Sequence, residues 1–414
     1  MKLLLNTKGS WAYRSLMLLA AFSLVFGLWS RFYNLSFPPQ HIWDEKFFPV
    51  YANDYLHGIP FFDLHPPLGK FIIAISIAIF GNTPFGWRLM PYLFGCAMVV
   101  LGVVLGWYYL KDRVAALLLG SFIAIETMFI VYSRTGLMDG ILVFFVLATL
   151  LSAVWAERKG QVIWPSVLLG LSISVKWAVF GLAFPVGYIL WRKKLFRPFL
   201  GGLWVSAIVY VLIVYVGQIV NGGGNLWVAW KGVLAWHLQS IRNISMAFPN
   251  DWASPWWSWP LMLRPMGFYQ SFTASGDQII IMAIGNPLLW WSSTLAVAAS
   301  LVELVYRGAI LRKNIADHPL VPVLIGYVFL LLPWIPAPRI PFIYNYFPSY
   351  AFALLALVYW LCRIWNRRTW GPWAVVAFTG CAVALTLFFL PMILARPMTN
   401  ESVNRHIWLS SWSR

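Results

Sequence analysis

The sequence predicts an all-α polytopic membrane protein of about eleven transmembrane helices with two large external loops that carry juxtamembrane helices. Three observations predict it. Apolar runs of roughly 18 to 25 residues recur along the chain, the length a helix needs to cross about 30 Å of hydrocarbon. Lys and Arg cluster at the ends of those runs. No polar block is long enough to fold as a soluble domain, and of the 414 residues 61% are apolar and 10% charged.

Basic clusters mark the cytoplasmic side and set the parity of crossings. They are Lys2/Lys8/Arg14, Lys111/Arg113, Arg158/Lys159, Arg192/Lys193/Lys194/Arg197, Arg307/Arg312/Lys313 and Arg363/Arg367/Arg368. Each pair must be joined by an even number of spans. The first two spans are 11–33 and 86–110; the former lacks a small-residue cleavage site and reads as a retained helix. Between them runs a first external loop, 34–85, in which 71–80 is too short to span and is expected to lie at the outer face. A hairpin follows, 114–132 and 137–155, with Ser133–Asp139 at its outward tip. Only about thirty residues separate Gly160 from Arg192, so two short spans are expected to turn near Lys176. Span 199–220 then leads into a second external loop, 221–285, and four spans finish the chain: 286–306, 319–334, 342–361 and 373–394. The N-terminus is placed inside and the C-terminus outside. The resulting division is a catalytic transmembrane module (1–220), the second loop (221–285) and the C-terminal helices (286–414).

Net charge +17 would suggest nucleic acid in a soluble protein, but the cations sit at span ends and no readable basic face exists, so no nucleic-acid partner is expected. Cys96, Cys362 and Cys381 lie in or beside apolar spans with no CxxC or Cys/His metal spacing. No internal repeat supports an inverted-repeat transporter.

On this topology Arg31, Asp44, Glu45, Asp63, His65, Lys70, Arg88, Arg134, Asp139, Lys176 and Arg339 gather at one membrane face. Charges at the membrane edge are unfavourable unless paired, so such a gathering marks a function. Any single cation could simply snorkel to headgroups. The carboxylates gain nothing from anionic lipid. A cation-rich pocket at the lipid boundary suits a phosphate carried on a polyprenyl chain. A carboxylate beside it suits removal of a proton from an acceptor hydroxyl. The aromatic stretch Asp251-Trp-Ala-Ser-Pro-Trp-Trp-Ser-Trp-Pro260 reads either as an interfacial belt or as a sugar-stacking or lid surface through Trp256 and Trp259. Arg339 reads either as a snorkelling helix-start cation or as part of the pocket.

Several motifs occur in order: Trp43-Asp44-Glu45, Phe61-Phe-Asp-Leu-His-Pro-Pro-Leu-Gly-Lys70, Arg88-Leu, Ser133-Arg134 with Asp139, and Ser174-Val-Lys176-Trp177. After them come Pro255-Trp-x-x-Trp259-Pro, Gly285-Asn-Pro287 with Trp290-Trp291, and Tyr344-x-Tyr346-x-Pro348. Together they resemble the protein O-mannosyltransferases, integral-membrane glycosyltransferases of the GT-C fold, over 31–353. The resemblance implies inverting transfer of mannose from a polyprenyl-phosphate donor lipid to a Ser or Thr hydroxyl of a secreted or membrane protein, at the outer face of a bacterial inner membrane. Asp44 would be the general base and Glu45 would orient the site. Asp63 and His65 would shape the acceptor or sugar pocket, Asp139 would support it, and Arg31, Lys70, Arg88, Arg134, Lys176, Arg339 and Tyr344 are candidates for the lipid phosphate. The transfer is coherent without a metal, so no cofactor is required, although a divalent ion stays open. The 221–285 loop is too short for the β-trefoil domain of eukaryotic members, and Asn345 stands where many members have His. Aminoarabinose transferases of lipid A share the Pro-Pro-x-Gly-Lys and Lys-bearing hairpin patterns, which leaves a lipid or glycan acceptor as the alternative. A transporter of lipid-linked substrate is the reading from another class.

Overall fold

The computed structural model describes residues 7–223, 225–243, 251–337, 341–367 and 369–413. The chain begins with α1 (Thr7–Phe32) and then forms a 3-10 turn over Trp43–Lys46, α2 (Phe48–His57) and α3 (Leu68–Phe80). Next come α4 (Pro84–Leu110), α5 (Arg113–Ile125), α6 (Thr127–Ser133) and α7 (Asp139–Trp155). Thr83 opens α4 by accepting from the Gly86 N–H, with Pro84 pre-set for the first turn. Asp112 opens α5 in the same way through the Val114 N–H.

α5 and α6 occupy the first arm of the expected hairpin, yet they are not one rod. The chain bends by 60° between them, at Glu126. Glu126 is fully buried, and its carboxylate accepts from the Met128 N–H as the cap of α6 (3.3 Å). It also accepts from the Asn286 N–H at 2.9 Å and from the Tyr350 hydroxyl at 2.7 Å. A carboxylate in an apolar span requires this degree of satisfaction.

The two short passes appear as α8 (Ile163–Val175), a 3-10 segment Trp177–Leu182 and α9 (Ala183–Arg192), with Lys176 at the joint. α10 (Phe196–Gln218) follows, then α11 (Leu226–Asn243). α11 gives the second external loop a helix of the kind expected there, within bounds that the sequence reading left unassigned. It runs back along α10: Gly232 lies so near α10 that a Cβ there would sit 2.9 Å from Gln218 Oε1. Farther along the pair, the Tyr210 hydroxyl lies 2.7 Å from His237 Nε2. The rest of the second loop builds an antiparallel hairpin, β1 (Met266–Phe272) and β2 (Gln278–Ala283).

α12 (Pro287–Val305), capped by Asn286, α13 (Leu320–Leu331), α14 (Phe347–Trp365) and α15 (Trp370–Ile393) complete the bundle. α14 is its axis: 78% of its apolar window is buried, against 22% to 39% for the other long helices. The chain then returns to the hairpin, adding β3 (Pro397–Met398) to β2 and ending in α16 (Asn400–His406) and a turn in which the Trp412 indole donates to the Met262 carbonyl at 2.9 Å.

Among the described residues, six helices are long and apolar enough to cross a membrane, or seven if the bent pair is one span. The protein is therefore a multi-pass membrane protein. Helix fills every stretch expected to cross, but the shorter members do not reach the required length alone: α8 has 13 residues and rises only about 20 Å.

Candidate active site

The Trp43–Lys46 turn carries the Asp-Glu pair, and the two carboxylates part company. Glu45 is fully buried, and Arg88, on α4, forks onto it: Nε to Oε1 at 2.7 Å and Nη2 to Oε2 at 2.8 Å. Glu45 also accepts the Ile42 N–H at 3.0 Å and the Gly136 N–H at 2.7 Å. Gly136 can approach only without a side chain, since a Cβ there would lie 2.8 Å from Pro49 and 3.1 Å from Trp87. A two-pronged charged pair with every lone-pair direction used is a positioning device. Asp44, its neighbour, is only half-buried.

Aromatic rings carry this turn towards a second charged centre. Trp43 stacks on Phe268 of β1 (5.6 Å, 7°) and meets the edge of Phe342 at 5.8 Å. Phe342 stacks on Tyr344 at 5.5 Å, and the Lys176 ammonium lies 4.8 Å from the Tyr344 ring centre. Lys176 donates to Asp139 at 2.8 Å, both side chains being buried, so Asp139 holds the ammonium in place. Asp44, Asp139 and Tyr344 all lie within electrostatic reach of the Tyr132 hydroxyl. Lys176, Tyr344, Asn345 and His65 line a mostly apolar cavity of about 340 Å³, together with residues that include Trp177, Phe180 and Trp334. Asp44 is not among the residues lining it.

His65 is shared with a neighbouring narrow cleft, which also holds Asp63 and Lys70. Lys70, buried at the start of α3, pairs with Asp63 and donates to the His65 carbonyl at 2.7 Å. Burial alone would raise the Asp63 carboxyl, but the Lys70 and His65 charges and their hydrogen bonds outweigh it and hold the group below the ordinary carboxylate range.

Several expected contributors take other places. Arg31 is fully buried and donates to the carbonyls of Gly27, Ala124 and Ile123, and to Ser133 Oγ, stapling α1 to the end of α5. Arg88 is committed to Glu45 and to the Leu35 and Pro38 carbonyls. Neither presents a donor to the cavity, because a guanidinium without water must satisfy its N–H groups within the protein. Trp259 is not a sugar platform: it is fully buried, its indole donates to Ser254, and its carbonyl receives the Trp290 indole at 2.8 Å. Trp256 is half-buried in a short 3-10 turn, packed against the core. Arg134 donates to the Ser30 and Tyr33 carbonyls and borders a small separate hollow. Arg339 lies outside the described residues. Among the described residues no three His, Cys, Asp or Glu side chains are grouped to hold a metal ion.

Sequence reasoning passed over Glu126. The signal was available, since it is a lone acid inside an apolar run.

The chain matches three family models that together take in most of its length. Residues 21–87 and 64–219 match two models described as dolichyl-phosphate-mannose-protein mannosyltransferase. Residues 229–412 match the C-terminal four-transmembrane region of protein O-mannosyltransferase. The chain belongs to the protein O-mannosyltransferase family. Among curated relatives of this family, the polyprenol-phosphate-mannose–protein mannosyltransferase of Mycobacterium tuberculosis is 27% identical across 90% of this chain and 86% of its own. That of Corynebacterium glutamicum is 24% identical across 94% and 92%. The fold is that of the GT-C class. It resembles a chain of the Saccharomyces cerevisiae Pmt1–Pmt2 complex bound to the sugar donor, with TM-score 0.84 and 16% identity over 96% of this chain and 93% of that one. ArnT from Cupriavidus metallidurans, bound to undecaprenyl phosphate, is more distant: TM-score 0.58 and 13% identity over 94% and 77%.

Proposed function

We propose that this O-mannosyltransferase moves mannose from a polyprenyl phosphate to a Ser or Thr hydroxyl of a secreted or membrane protein, with inversion, at the periplasmic face of a bacterial inner membrane. The observation that carries the reading is the division of labour in the Asp-Glu pair. Arg88 and Gly136 lock Glu45, and this fixes the turn that presents Asp44 beside the aromatic path to Lys176. The curated relatives supply the donor and acceptor classes in their names. The outward placement rests on the basic clusters at the opposite ends of the helices.

In the proposed reaction the acceptor hydroxyl oxygen attacks the anomeric carbon of mannose while Asp44 takes its proton. The bond from that carbon to the phosphate oxygen breaks, and the polyprenyl phosphate leaves with the electron pair. Its added charge is met by Lys176, which Asp139 orients, with Arg339 as a further candidate. Asp63 and His65 shape the flank of the pocket, with Lys70 holding Asp63 in place. A base aligned with the attacking hydroxyl typically contributes about 10²–10⁴ in rate. Electrostatic support of the leaving group needs no reorganisation when the cation is pre-placed.

The test is mass spectrometry of products formed from labelled polyprenyl-phosphate mannose and a membrane extract. The reading expects labelled Ser/Thr peptides. Label found only in lipid or polysaccharide would overturn the protein acceptor.

A further inference from the structure

The Phe61–Lys70 string carries Asp63 and His65 into the site, and its backbone is held from outside its own loop. Asn221, just past the end of α10, turns its carboxamide onto Phe61. Its Oδ1 accepts the Phe61 N–H at 2.9 Å and its Nδ2 donates to the Phe61 carbonyl at 2.7 Å. One side chain thus does for Phe61 what a neighbouring strand would do. Two residues on, the Trp236 indole of α11 donates to the Asp63 carbonyl at 2.9 Å. Two glycines let the chain around the end of α10 come this close. A Cβ at Gly217 would lie 2.8 Å from Pro67, and one at Gly222 would lie 3.0 Å from Pro60. Asn221 and Trp236 accordingly line the narrow cleft that holds Asp63, His65 and Lys70.

Trp236 reaches a second charged centre as well. Its buried ring meets the Trp177 ring edge-on at 5.3 Å (72°), and Trp177 directly follows Lys176. Trp177 is itself fixed, its indole donating to the Tyr210 hydroxyl of α10 at 2.8 Å. One side chain therefore touches both the backbone of Asp63 and the neighbour of Lys176. Loop segments are ordinarily the mobile part of a fold, with their polar backbone groups turned to water. Here the segment beside the cavity takes three bonds from residues 160 and 173 positions away. Such ties matter because a displacement of about 1 Å at a reacting centre can cost about a hundredfold in rate.

We propose that Asn221 and Trp236 are positioning residues for mannosyl transfer. They hold the Asp63–His65 segment at a fixed offset from Lys176, so that the pocket for sugar or acceptor stays in register with the cation that meets the phosphate. Both act through Asp63, His65 and Lys176, and the proposal rests on the roles given to those residues above.

The experiment uses the full chain in lipid nanodiscs, with undecaprenyl-phosphate mannose as donor and a Ser/Thr peptide found among the labelled products as acceptor. Trp236→Phe removes the indole N–H and keeps an aromatic ring, and Asn221→Ala removes both bonds to Phe61. Trp230→Phe, on the exposed side of the same helix, is the control. With activity normalised to folded protein, each of the first two is expected to lower kcat about tenfold while KM for the donor stays nearly unchanged. The double variant is expected to lose less than the product of the two, because both act on one segment. Hydrogen–deuterium exchange of the Phe61–His65 amides is expected to quicken in both, and Trp230→Phe should match the parent throughout. Unchanged kcat in both variants overturns the proposal. So does an equal loss in Trp230→Phe, a rise in donor KM as large as the fall in kcat, or fully independent losses in the double variant. If the parent transfers no mannose, the functional reading fails, and the exchange comparison alone then decides whether the two residues hold the segment.

Discussion

Arg88 grips Glu45 with two parallel bonds, 2.7 and 2.8 Å long, and neither side chain has any exposed surface. The pair joins α4 to the turn carrying Asp44, and Gly136 ties the same carboxylate to the loop between α6 and α7. Breaking a buried pair by removing one partner typically destabilises by about 3–5 kcal/mol, because the other charge stays buried. Arg88→Ala and Glu45→Ala are each expected to lower the melting temperature in detergent substantially. The double variant is expected to be less destabilised than the sum of the two. Additive losses would show that the two side chains do not act as a pair.

Asp44→Asn is expected to behave in the opposite way. Asp44 is half-buried, so stability should change little, whereas transfer should fall about 10²–10⁴-fold. Binding of the donor lipid should survive. A variant retaining full turnover in a membrane assay removes Asp44 from the base role.

Trp256→Ala and Trp259→Ala separate a surface from a strut. Trp259 is fully buried against Trp334 and receives the Trp290 indole, so its truncation is expected to destabilise by about 3–5 kcal/mol. Trp256→Ala is expected to give a smaller loss, read in the same thermal melt.

The Asp63–Lys70 pair gives a pH signature. The folded carboxyl lies below its ordinary value, so the pair contributes its full stability above the unfolded value of about 3.9. That contribution is lost as pH falls through the lower folded value. Between pH 7 and about 4 the pair should therefore hold, and below that the protein should lose stability more steeply than Asp63→Asn. Parallel acid melts of the two proteins check this.

The amino-acid order revealed more of the fold than of the site. Apolar run length and basic clusters located the helices, including the break at Lys176, because hydrocarbon thickness and charge asymmetry act on the sequence directly. A helix was expected in the second loop, but the bounds of α11 escaped because its Lys231, His237 and Arg242 dilute the apolar run and no parity argument reaches inside an external loop. At the site, the motif containing Asp44 and Glu45 was visible, but which cations faced a cavity was not. Arg31 and Lys176 look alike in sequence. Only packing shows one spending its donors on backbone carbonyls and the other standing over Tyr344. Burial of Trp259 was hidden for the same reason: a tryptophan-rich loop reads as an aromatic belt until the Trp259 indole is seen bonded to Ser254 and the Trp290 indole to the Trp259 carbonyl.

The 60° turn at Glu126 has a geometric result for the turn that carries the Asp-Glu pair. α6 has seven residues and rises about 10 Å, so the bend carries its far end roughly 9 Å sideways from the line of α5. That offset sets where the strip Arg134–Gly136 lies, and with it the N–H that reaches Glu45 from Gly136. Straightened, the same helix would aim that strip elsewhere and deprive the Glu45 carboxylate of a donor. A single acid in the middle of the bundle thus acts as an elbow that delivers one backbone amide to the turn bearing Asp44.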